Sequence, residues 1–130
     1  GNRTSQTIGA ATQAYTIDSA SNRLTNVAST PPKTYGYDAN GSVTGDGTAT
    51  YGYDARGRLV QALTAAGTVS YRINALGQRI RKTVVKDGVP VSDTLYHYDL
   101  AGHLIGESDG TGTATRDILW LDDTPLAVMQ

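Results

Sequence analysis

Apolar and polar positions along the chain alternate with a period of two, and no stretch sustains the i, i+3, i+4 spacing of a helix. Alternation puts successive side chains on opposite faces of a strand. The reading is therefore all-β, with little or no helix. The sharpest instances are Tyr35-Gly36-Tyr37 and Tyr51-Gly52-Tyr53, where two rings one residue apart share a face.

These pairs head a repeated pattern: aromatic, any residue, aromatic or aliphatic, Asp or Asn, two residues, Gly, then a polar-to-aliphatic stretch. Clear copies run from Tyr35 to Gly41, Tyr51 to Gly57, Tyr71 to Gly77 and Tyr96 to Gly102. A weaker copy, Tyr15 to Asn22, puts Ser21 in the glycine place. The leading tyrosines stand at 15, 35, 51, 71 and 96, so the spacing varies from 16 to 25 residues. That variation falls where turn residues collect, as in Ser29-Thr30-Pro31-Pro32, Gly45-Asp46-Gly47-Thr48 and Lys86-Asp87-Gly88-Val89-Pro90. The Pro-Pro pair cannot enter a central strand, because it donates no ladder hydrogen bond. Gly1-Asn2-Arg3 reads as the tail of a further copy, so residues 1–130 read as one segment of a longer array that begins inside a repeat.

Each copy reads as a hairpin. Asp38, Asp54, Asn74 and Asp99 open the turn, where a side-chain oxygen can accept backbone N–H groups. Gly41, Gly57, Gly77 and Gly102 follow three residues later, where a type I turn closes on a left-handed residue. A three-residue loop sets Asp54 opposite Arg58 and Asp99 opposite His103, and opposed pairs of this kind contribute ~0.2–1 kcal/mol. In the copy at Tyr71, Arg79 takes the place of Leu59, which leaves the buried face of that return strand open. One hairpin is marginal in water, so the copies are expected to stack into one twisted antiparallel sheet that tends to curl, at roughly ten strands. Tyr15, Tyr35, Tyr37, Tyr51, Tyr53, Tyr71, Tyr96 and Tyr98 would form its ring ladder. Open edges would invite self-association of the segment.

Composition fits that picture. There are eight tyrosines, no phenylalanine, one methionine and 15 glycines, so tyrosine supplies most of the large apolar area. The formal net charge of −1 gives no basic footprint for nucleic acid. No apolar run reaches the ~20 residues of a bilayer span, and no basic-then-apolar leader opens the chain. Cysteine is absent, which removes disulfides and thiolate metal sites.

The Tyr-x-Tyr-Asp-x-x-Gly copies resemble the YD repeats of RHS proteins. The segment from Asp117 through Trp120 to Ala127 resembles the stretch that opens the RHS-associated core. The resemblance covers nearly the whole chain. It implies a β-ribbon that spirals into a hollow shell around a toxic C-terminal domain, as in RHS and WapA-type polymorphic toxins, insecticidal toxin complexes and the related teneurins. It implies a secreted or cell-surface setting, interbacterial competition, and two partners: neighbouring YD repeats and the enclosed toxin domain. The bacterial families carry an Asp-centred self-cleavage motif after the core, and no residue here takes that role.

Chemistry of its own has little support, and the chain reads as no enzyme. A hydrolase triad has only His97 and His103 to draw on, and no Gly-x-Ser-x-Gly elbow. Calcium needs roughly six to eight oxygens in one place, whereas one turn carboxylate recurs per repeat. Glu107, Asp109, Asp117, Asp122 and Asp123 show no distinctive spacing and read as loop charge. No cofactor or metal is expected. The alternative function is a carbohydrate-binding surface module, with tyrosine rings stacking on sugars. Trp120, between Leu119 and Leu121, reads as a strand anchor.

Overall fold

The computed structural model describes residues 2–130; Gly1, assigned above to a further copy, lies outside them. All regular structure among the described residues is β. Four strands, β1 (Ser5–Ile8), β2 (Ala11–Ile17), β3 (Leu24–Val27) and β4 (Lys33–Thr34), form one antiparallel sheet in chain order. The other ten form a second: β5 (Gly36–Tyr37), β6 (Val43–Gly45), β7 (Thr50–Tyr53), β8 (Leu59–Thr64), β9 (Gly67–Ile73), β10 (Arg79–Lys86), β11 (Val89–Tyr98), β12 (Leu104–Asp109), β13 (Ala114–Leu121) and β14 (Thr124–Met129). Each strand pairs with its neighbour in sequence, so every connection is short.

The two sheets meet in one extended run, Lys33 to Tyr37. Its first half pairs with β3 and its second half with β6. Between them the Tyr35 N–H donates to the Thr25 carbonyl and the Thr34 N–H to the Asp46 carbonyl. The ladder is thus interrupted once and resumed within two residues. Pro31 and Pro32 stand in the loop before it. Neither sheet closes on itself, and β1 and β14 each pair along one side only.

Register places the rings. Tyr51 opposes Ala62, which opposes Val69, which opposes Val84. Tyr71 follows Val69 by two and opposes Lys82, which opposes Thr94, two before Tyr96. Counting by twos puts Tyr35, Tyr37, Tyr51, Tyr53, Tyr71, Tyr96 and Tyr98 on one face. Tyr15 opposes Val27, which opposes Lys33, two before Tyr35. The other face carries Gly52, Gln61, Ser70, Thr83 and Asp93 in one row. That row is small and polar, and Leu63, two residues from Gln61, lies exposed on the same face.

No second layer covers either face. Among the described residues only Val27 and Ala62 are buried hydrophobics, and no side chain is fully buried. The tyrosine rings are half-buried on this one layer, so the apolar stabilisation is lateral, along the sheet.

Candidate functional site

The repeated turn is built from one acceptor and one left-handed residue. In the third copy the Asp54 carboxylate accepts the N–H groups of Arg56 and Arg58, both at 2.9 Å. Its own N–H donates to the Arg58 carbonyl, and the Gly57 N–H closes the turn on the Asp54 carbonyl. Gly57 has φ +74°, a conformation costly for any residue with a Cβ. Asp38 and Asn74 make the same two side-chain acceptances, from Asn40 and Ser42 and from Leu76 and Gln78. Asp99 accepts from His103. Gly41, Gly77 and Gly102 all have positive φ. The accepted N–H of Ser42, Arg58 and His103 holds Asp38, Asp54 and Asp99, respectively, below the usual carboxylate range.

Three turns differ from the sequence reading. In the first copy the left-handed residue is Asn22, φ 56°, and not Ser21, because this loop is one residue longer. Asparagine tolerates that conformation better than serine. Asp109, read as loop charge, opens a further turn of the same build. It accepts from the N–H of Thr111 and Thr113, with Gly112 at φ +94°. Asp-x-x-Gly was the available signal; no tyrosine precedes it to mark it. Val89-Pro90 likewise belongs to β11, since Asp87 and Gly88 alone make the turn, and Pro90 sits at a register shift where its missing N–H is tolerated.

Every return strand starts with a β-bulge. Ile17 opposes Leu24 while Thr16 opposes Asn26, which leaves Thr25 extra. Thr44, Val60, Ile80 and Ile105 are the extra residues in the later copies. This settles the copy at Tyr71: Arg79 opposes Ile73, Ile80 is the bulge and Arg81 opposes Arg72. A bulge disrupts the ladder and leaves backbone groups to be satisfied elsewhere. The carbonyl just before it is reached by the next hairpin. Tyr37 donates its hydroxyl to Leu24 O at 2.6 Å, Tyr53 to Val43 O at 2.8 Å, and Tyr98 to Arg79 O at 3.0 Å. Trp120 donates Nε1 to Leu104 O at 2.9 Å and closes the series.

Three of the residues that follow a left-handed position reach forward as well. Arg23 lies over the Tyr37 ring at 5.3 Å. His103 stacks on Trp120 with centroids 4.4 Å apart. Arg58 binds Asp54 and also donates from Nη1 to Asn74 O at 3.0 Å. That last contact serves the one boundary where Ile73 replaces the second tyrosine and no phenol can reach Leu59 O.

The described residues hold no cluster of three metal-ligating side chains. His97 contacts Ser108 at 2.8 Å, but Ser108 is 3% exposed, too enclosed for a substrate to reach. A depression of about 630 Å³ lies on the face opposite the rings, among Thr34, Gly36, Gly45, Thr50 and Leu63, and has no titratable group in its lining.

The hairpins are joined in series, four of them by an aromatic side chain that reaches the bulge of the hairpin before and one by Arg58; this is a tyrosine–aspartate repeat sheet. The family description Teneurin YD-shell matches residues 2–126. The chain belongs to this family. YD-shell proteins are structural repeat shells, extracellular or at the cell surface. A search among curated proteins found no match. No helix among the described residues is long and apolar enough to cross a membrane. In YD-shell terms, Asp38, Asp54, Asn74 and Asp99 shape the hairpins, while Tyr37, Tyr53, Tyr98 and Trp120 join them.

Proposed function

We propose that this YD-shell chain is a wall segment of a secreted or cell-surface shell that encloses a C-terminal toxin domain, and that it performs no catalysis itself. The observation that supports this most is the single uncovered layer. Among the described residues fourteen strands run in sequence order, the hairpins are cross-linked side to side, and only Val27 and Ala62 are buried hydrophobics. Such a layer separates two spaces. Its partners in this reading are neighbouring YD repeats along the ribbon and the enclosed domain, with residues 1–130 one stretch of the array. Its mechanism is exclusion of proteases and solvent.

The test is limited proteolysis of the parent protein. The C-terminal domain is expected to resist protease in the intact protein and to become sensitive when Tyr37, Tyr53 and Tyr98 are together changed to Phe. A C-terminal domain digested equally fast in both proteins would overturn the proposal. The carbohydrate reading has less support, because the hydroxyls of Tyr15, Tyr37, Tyr53 and Tyr98 are donated to protein.

A further inference from the structure

Among the residues that follow the left-handed position and open the return strand, Arg23, Ser42, Arg58, Gln78 and His103, only His103 changes charge near neutral pH. Its surroundings make that charge matter. Nδ1 lies 3.0 Å from Asp99 Oδ2, on its own turn, and Nε2 lies 2.9 Å from Asp123 Oδ1, on the β13–β14 turn. The ring stacks on Trp120 of β13. The Trp120 N–H is in turn donated to Leu104 O, beside the Ile105 bulge. A neutral imidazole has one N–H, so it can satisfy only one of two carboxylates and sets a lone pair against the other. An imidazolium donates to both.

We propose that His103 is a pH-dependent clasp that fastens the β13–β14 hairpin to the turn of the preceding repeat, closed when the ring is protonated and loosened when it is neutral. The charged groups that contact it are Asp99 on the β11–β12 turn and Asp123 on the β13–β14 turn, where Asp122 is the preceding residue. From the β9–β10 turn the neighbour is Gln78, which packs beside Gly102 and is uncharged. No lysine or arginine in the described contacts competes for the two carboxylates. The His103 pKa is raised, first by the Asp99 contact and then by Asp123. A group raised on folding stabilises fully below its unfolded pKa. The clasp is therefore complete below about pH 6.5 and is lost as pH rises through the higher folded value. The inference rests on this geometry and stands whether or not the shell encloses a toxin.

Trp120 is the one tryptophan in the chain and touches the ring, so its emission reports the proton directly. On the intact chain, Trp120 fluorescence and the hydrogen-exchange protection of β13–β14 amides are measured from pH 5 to 9. Both are expected to titrate together, with a midpoint above about 6.5. Protection should fall about tenfold for each unit by which the midpoint exceeds that value. D123N should lower the midpoint, H103Q should flatten both curves, and H103R, which copies Arg58 of the earlier repeat, should keep β13–β14 protected at all these pH values. A midpoint at or below about 6.5, or β13–β14 protection indifferent to pH while the fluorescence titrates, would overturn the proposal.

Discussion

Tyr53 donates its phenol hydroxyl to the backbone carbonyl of Val43, 2.8 Å away, on the return strand of the preceding hairpin. Tyr51, on the same strand and face, makes no comparable hydroxyl bond among the described contacts. The two rings of one Tyr-x-Tyr pair thus do different things: one packs, the other packs and joins. Tyr53→Phe is expected to cost about 1 kcal/mol, because it strands the Val43 carbonyl. Tyr51→Phe should be nearly neutral. Denaturant melts of the two variants check this, and equal losses would mean that the hydroxyl bond contributes nothing.

Gly57 offers a test of the turn alone. Its φ is +74° and no atom lies within 4 Å of where a Cβ would stand, so packing does not enter. Gly57→Ala should destabilise by about 1–2 kcal/mol through backbone strain. Gly57→Asn should cost less, since Asn22 already holds the corresponding place at φ 56°. Thermal unfolding of both variants gives the comparison, and an Asn variant no better than Ala would contradict it.

At the boundary that lacks a second tyrosine, Arg58 supplies the join to Asn74 O. Arg58→Lys loses the planar fork that binds Asp54 and Asn74 O together. Its melting temperature should fall by more than that of Arg56→Lys, whose side chain has no partner among the described contacts. Matching melting temperatures would show that this boundary is held by its backbone ladder alone.

Acid should open the turns unequally. Asp38 and Asp54 are held below the usual carboxylate range, chiefly by the N–H groups of Ser42 and Arg58. Groups lowered on folding contribute stability above their unfolded pKa and lose it as pH falls through the folded one, here below about 3.8. The Asn74 turn has an amide in that place and no proton to gain. Hydrogen exchange between pH 4 and 2 should show the Ser42 and Arg58 amides losing protection while that of Gln78 persists. Simultaneous loss at all three would mean that acid acts on the sheet as a whole.

Much of the hairpin framework was legible because it is local. An acceptor, two residues and a left-handed glycine define a turn within five positions, and alternation of two sets the rings on one face. The Asp109 turn was missed because it keeps the bend without the tyrosines. The Tyr71 copy was ambiguous because its bulge, Ile80, shifts every later residue by one, and a bulge has no residue type of its own. The joins were invisible for a different reason: Tyr53 and Val43 are ten residues apart, and nothing in either residue names the other.

The chain's own residues determined the strand period, the turn positions and the choice of tyrosine as the large apolar group, since each depends on neighbours within one bend. Only the folded arrangement decided which carbonyl each second aromatic reaches, where the ladder breaks at Tyr35, and that His103 lies between two carboxylates and against Trp120. Those outcomes depend on the register between successive hairpins, and register is set by bulges and by lateral packing along the whole sheet.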